Sequence, residues 1–401
     1  MSPVSRGRKG KKNKQQKGPT LPKAVRHFAA PSAPQPNFST GSRKLPVVRG
    51  EWFDEATRTV LDQAHTLLTA QNPLELEQAT AELTGAALHT VIHDGQSGLK
   101  FENWLSELID AAAVEAEASE GASRLLYGLA AIVPSKLLTK AMRKVSQLPE
   151  GGPSWLRLTP AIEANGDVWR MRDIYRSRVA LIADFRYPDG SAPSVFLFDI
   201  DMSAEIRFAE PGVFEDVNQA ADSWRARVGE TATDAQPRLV DSPTDLLPLM
   251  HVDAGEIGPI GDETRAQTDN WFRGLRRIQD VLTAREERGL PDPPSIGLYE
   301  SDGYEALAKE FIRWYAERHG AEPVREVVVG LAAEWLEGIL PDAVHSVSPR
   351  RVAYYQELID DFRPDFTAAV KPLFPEWVRW NGEQAGLPQH LIDRAVAEAA
   401  F

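Results

Sequence analysis

Two aspartates close the apolar run Ser194-Val-Phe-Leu-Phe-Asp-Ile-Asp201. On a strand, the period of two puts Asp199 and Asp201 on one face with Val195 and Leu197, and sends Phe196, Phe198 and Ile200 to the other. Paired carboxylates at a strand end can hold a divalent cation or divide into acid and base. The plainer reading is a strand that finishes in solvent with its last two outward positions charged. Further on, His251-Val-Asp253-Ala-Gly255-Glu256, followed by Asp262 and Glu263, is the densest collection of imidazole and carboxylate donors in the chain. Such donors suit zinc, manganese or iron, and glycines at 255, 258 and 261 let a loop fold around an ion. Asp199, Asp201 and His251 as catalytic groups, with Asp253 and Glu256 completing a metal set, would describe a hydrolase or nuclease whose divalent ion activates water. The competing reading is a polar connector, with Asp262 or Glu263 beside the positive end of the next helix dipole.

Other constellations are weaker. His89 and His93 are four apart on a predicted helix and share a face. Threonine follows His89, so the general base of a zincin is missing. Trp377 and Trp380, three apart with Arg379 between them, offer either a stacking and cation–π surface or a piece of aromatic core. The chain has no phosphate loop, no dinucleotide-binding G-x-G-x-x-G after a strand, no nucleophile elbow and no H-E-x-x-H helix.

Charge gives the strongest signal. Of 45 lysines and arginines, 12 fall in residues 1–50, where there is no acid, leaving 33 against 58 acids in the rest. A +12 arm is thus joined to a body of net −25. Within the arm, Arg6, Arg8, Lys9, Lys11, Lys12, Lys14 and Lys17 lie among glycines and glutamines with almost no aromatics. That composition suits contact with a phosphate backbone driven by counterion release, through RNA, the ribosome or DNA, without base reading. The acidic body is the natural surface for a protein partner, and equally a surface on which the arm itself can fold back.

Absences narrow the classes further. With no cysteine there are no disulfides, thiolate metal sites or cysteine nucleophiles, which fits a reducing cytoplasm. The longest apolar run, Leu125 to Val133, is nine residues and ends at Pro134, well short of the roughly 20 needed to span a bilayer. The basic start runs into Gln15, Gln16 and Pro19 instead of an apolar stretch, so no secretory signal is expected. Prolines at 3, 19, 22, 31, 34 and 36 interrupt the amphipathic helix of a mitochondrial presequence. The expected location is cytosolic, with no membrane contact.

The elements that must carry these residues follow from periodicity. Residues 1–50 hold too little apolar area to offset ordering entropy and read as a disordered basic arm. Residues 51–150 repeat apolar positions every three or four, with Asn72-Pro73 opening a second helix, and read as a helical domain. After Gly151-Gly152-Pro153 the pattern changes to β-branched and aromatic runs. Val179–Tyr187 and Ser194–Asp201 flank Pro188-Asp189-Gly190 as a hairpin. Trp155–Leu158, Asp167–Arg172 and Ala204–Phe208 add strands, and a helix covers 214–228. Residues 151–240 thus form a small antiparallel sheet with a helix. Residues 241–401 return to helices, the longest predicted over 264–287. The fold class expected is α+β, predominantly helical, because the strands cluster instead of alternating with helices.

The hairpin Phe185-Arg-Tyr-Pro-Asp-Gly190 with Phe198-Asp-Ile-Asp201, together with Val347-Ser-Pro-Arg-Arg351, Phe374-Pro-Glu-Trp-Val-Arg-Trp380 and Gly386-Leu-Pro388, resembles a group of uncharacterised actinobacterial proteins. These have a helical front, a hairpin-rich middle and a helical tail. The resemblance implies the same layout over the body and carries no activity.

Overall fold

In a computed structural model of the protein, the described residues are 49–94, 101–149, 151–204, 206–254, 262–291, 302–337 and 339–401. Nearly all of the basic arm, residues 1–48, lies outside them.

The front is helical, as its periodicity predicts. It comprises α1 (Phe53–Gln63), α2 (Pro73–His93), α3 (Phe101–Glu115), α4 (Glu120–Ile132) and α5 (Ser135–Val145). Asn72 caps α2 by accepting from the Glu75 N–H, and Pro73 takes a first-turn position where its missing N–H costs nothing. Ser119 caps α4 in the same way.

The middle is a six-stranded antiparallel sheet made of β1 (Glu163–Arg172), β2 (Arg178–Arg186), β3 (Ser194–Asp201), β4 (Arg207–Phe208), β5 (Gly212–Phe214) and β6 (Arg238–Leu239). Its order is β4-β3-β2-β1-β6, with β5 also pairing with β3. The strand expected at Trp155–Leu158 does not form. Ser154–Ala161 instead winds as a 3-10 turn packed on α2 and α4, where Pro160 could donate nothing to a ladder. Sequence periodicity does not mark β5 and β6, which are three and two residues long.

Between β5 and β6 lies α6 (Val217–Val228); after the sheet come α7 (Leu247–Ala254) and α8 (Arg265–Glu287), then α9 (Asp302–His319), α10 (Arg325–Leu336), α11 (Pro349–Asp360), α12 (Pro364–Val370), α13 (Phe374–Gln384) and α14 (Gln389–Glu398). A capping box between Thr264 and Gln267 starts α8, and Gly289, with φ of +66°, follows its end. The chain is therefore α+β and predominantly helical.

Burial explains the layering. One face of the hairpin, with Leu181, Phe185, Phe196 and Phe198, packs under the C-terminal helices, whose Phe311, Trp335, Trp377 and Trp380 are buried in the same core. The opposite face, with Ile182 and Leu197, is covered by Ala220, Ala221 and Trp224 of α6. A further core fills the helical front and reaches α8 through Phe272. The marks at 150 and 240 record changes of element type, while packing runs across both of them.

Candidate functional site

The β2–β3 register sets Ala180 opposite Asp199 and Arg178 opposite Asp201. Arg178 and Asp199 are therefore diagonal neighbours on one face, within reach of a long side chain. Arg178 Nε donates to Asp199 Oδ1 at 2.7 Å and Nη2 to Oδ2 at 2.8 Å, a two-pronged fork. Trp224 Nε1 on α6 adds a third donor to Oδ1 at 3.0 Å. The Asp199 side chain is 0% exposed. Burial alone would lower the Arg178 pKa, but the hydrogen bonds and charge of Asp199 outweigh it and raise it. The aspartate that ends the apolar run is thus an internal counter-ion, held by three donors.

Asp201 shares the face and the burial of Asp199, but its partners differ. Its Oδ1 accepts the Ser203 N–H at 2.8 Å, and its Oδ2 lies 3.0 Å from Arg350 Nη1. Arg350 comes from α11, which Ser348 caps by accepting the Arg351 N–H; the Ser348 hydroxyl also reaches that of Ser203. Both strand-end carboxylates are buried, so the solvent-facing strand end expected from sequence is corrected. Trp224 of α6 covers Asp199, and Arg350 of α11 reaches Asp201, where solvent was expected.

Asp201 and Arg350 line a cavity of about 500 Å³ together with Arg207, Asp262, Tyr354 and Glu357. Arg207 forks onto Asp262 at 2.7 and 3.1 Å. That hydrogen bonding holds the Asp262 carboxyl below its ordinary value and raises Arg207. Asp201 and Asp262 in the cleft each face an arginine. Asp262 stays ionised at neutral pH, so it is unsuited to donating a proton there.

His251 does not sit on a loop. It lies in α7, half-buried, and burial lowers its pKa, favouring the neutral ring. Position 253 is on the same helix, and helix positions two apart fall on different faces. The Asp253 side chain and all of Glu256 lie outside the described residues, as do Arg6, Arg8, Lys9, Lys11, Lys12, Lys14 and Lys17. Among the described residues, no three His, Asp or Glu side chains are grouped to hold a metal ion.

The remaining candidates resolve into packing. The His89 and His93 rings meet edge-to-face at 4.2 Å; burial first, then the neighbouring His93, lowers the His89 pKa. Trp377 and Trp380 are buried, with Phe311 packed on both at 5.1 and 5.5 Å, so they form core and not a stacking surface. Arg49, at the root of the basic arm, donates to Glu107 at 3.0 Å and to Asp54 at 3.2 Å, tying the arm to α3 and α1.

Sequence reasoning missed a second cavity of about 500 Å³ beside the β1–β2 turn, lined by Arg172, Asp173, Arg176, Glu230 and His390 among others. Asp173 closes that turn. Its carboxylate accepts the Ser177 and Arg178 N–H groups at 2.8 and 2.9 Å, yet burial pushes its pKa up to about 6. The local signal was Asp followed by Ser four residues later, a turn pattern that does not reveal burial.

No helix among the described residues is long and apolar enough to cross a membrane. Compared with known proteins, the chain matches no family model, no curated protein and no solved structure.

Proposed function

We propose that this is a cytosolic binding or accessory protein. Its basic arm contacts polyanions non-specifically, through RNA, the ribosome or DNA, and its acidic body meets a protein partner. The observation that carries this reading is the division of charge, +12 in residues 1–50 against −25 in the remainder. Clustered cations without acids or aromatics favour phosphate contact over base recognition. The alternative, a metal-dependent hydrolase, receives less support because Asp199 and Asp201 already face donors. To ligate an ion, Asp199 would have to leave both Arg178 and Trp224, stranding a partly buried guanidinium.

A gel-shift titration with duplex DNA and with RNA tests the proposal, comparing the full chain with a variant lacking residues 1–44, which keeps Arg49 and its anchors. Loss of binding in the shortened protein at low salt is the expected result. Equal binding by the two would remove the arm from the function.

A further inference from the structure

Beside the sheet runs a groove of about 510 Å³ that neither the charge reading nor the aspartates involve. Its floor is apolar and half-buried: Leu74 and Ala79 on α2, and Val213 and Phe214 on β5. Three exposed carboxylates rim it: Glu75, Glu82 and Glu215. The Glu75 carboxylate accepts from Gln71 N and Asn72 Nδ2, and Glu82 accepts from Gln78 Nε2. Among the described residues, none of the three forms an ion pair. Arg227 of α6 stands 5.8 Å over the Phe214 ring. A half-buried apolar strip framed by unpaired carboxylates calls for a ligand that is apolar along one side and basic along the other.

The chain contains such a segment. In Leu21-Pro-Lys-Ala-Val-Arg-His-Phe28, apolar residues stand at 21, 25 and 28, the i, i+4, i+7 spacing of one helical face, and Lys23 and Arg26 fall between them. The twenty residues from 29 to 48 can span up to about 70 Å. A compact body of about 350 residues has a radius of gyration of only about 20 Å, so most of its surface is within reach. Charge complementarity adds to the tethering, since a linked segment meets its site at millimolar-scale effective concentration.

We propose that residues 21–28 dock in this groove, with Leu21, Val25 and Phe28 on its floor and Lys23 and Arg26 facing Glu75, Glu82 and Glu215. The seven cations from Arg6 to Lys17 stay outside the contact and project from one defined edge of the body. This inference does not depend on the polyanion reading, because the two use different residues of the arm.

The natural absence of cysteine makes the test direct. In the full chain, Thr20→Cys is paired with Gln78→Cys in the groove, or with Glu322→Cys on the α9–α10 turn as a control, and cross-linking is timed with a short bis-maleimide. Docking predicts intramolecular cross-linking at Gln78→Cys on the order of tenfold faster than at Glu322→Cys. Adding Phe28→Asp, outside the folded body, should bring the groove rate down to the control rate. Equal rates at the two positions, or a groove rate indifferent to Phe28→Asp, would overturn the proposal. So would a product that forms only between chains and grows with protein concentration, which would make a second copy the occupant. Polyanion affinity in the same variants reads the other proposal separately, since Arg6 to Lys17 are untouched.

Discussion

Glu77 of α2 and Arg277 of α8 stand 2.6 Å apart with each side chain only 1% exposed. Tyr187, just past β2, donates its hydroxyl to the same carboxylate at 3.1 Å, and Arg273 lies 3.7 Å from its other oxygen. One internal carboxylate therefore joins the helical front, the sheet and the long helix α8. Two buried guanidiniums depend on it, with Asp280 assisting Arg277 at 2.9 Å. Glu77→Gln preserves shape but removes the charge, leaving Arg273 without its carboxylate and Arg277 with Asp280 alone. The expected loss is about 3–5 kcal/mol, read from urea unfolding. A loss under about 1 kcal/mol would show that Asp280 alone balances both cations.

Asp199 is expected to behave as a structural counter-ion. Asp199→Asn keeps one acceptor for Trp224 and destroys the charged fork from Arg178. About 1.5–3 kcal/mol of stability should go, the range for hydrogen bonds involving charged groups. Trp224, whose indole N–H points at the lost charge, should shift in fluorescence. Arg178→Gln should give a similar loss, and the double variant should lose less than the sum of the two. Additive losses would mean that the two residues do not act as a pair.

How much of this was legible in the sequence depends on the range of the cause. Local causes were readable: the Asn72-Pro73 start of α2, the β-branched runs of β2 and β3, and the alternation that sets Asp199 and Asp201 on one face. Short or context-made elements were not. Trp155–Leu158 has strand-like composition, but Pro160 and the packing of α2 and α4 wind it into a turn. His251 looked like a loop ligand because glycines follow it, yet the apolar residues before it carry a helix through position 254. The partners that define the aspartates come from 21 and 25 residues away in the case of Asp199, and from α11 in the case of Asp201. Spacing within a strand cannot report such contacts. It singled out the two aspartates and gave no sign that their charges were already balanced.

The contribution of Asp173 to stability should fall as pH rises from about 4 to 6. Burial raises the folded-state pKa of Asp173 from 3.8 to about 6, even though backbone N–H groups of Arg178 and Ser177 oppose the shift. A raised acid favours the folded state most when protonated. Its contribution is complete below the unfolded value and is lost as pH climbs through the folded one. Glu334, pushed up to about 7 by burial and then by Glu337, adds a slope of the same sign at slightly higher pH. Asp173→Asn still accepts the turn N–H groups and cannot ionise. It should raise stability at pH 7 by up to about 3 kcal/mol and make little difference near pH 4. Urea unfolding at the two pH values checks this. An equal effect at both, or a loss at pH 7, would mean that folding does not raise the Asp173 pKa.

Salt gives the sharpest measure of the basic arm. If Arg6, Arg8, Lys9, Lys11, Lys12, Lys14 and Lys17 all neutralise duplex phosphates, log Kobs against log salt should approach a slope of about −6, at nearly 0.9 per contact. Replacing Lys11, Lys12 and Lys14 with glutamine should shallow that slope by about 3 and weaken binding uniformly across sequences. Neither change touches residues 21–28 or the folded body, so unfolding midpoints should stay where they are. A slope that ignores these three lysines would place the contact elsewhere. A strong preference for one sequence would show base reading and overturn non-specific contact.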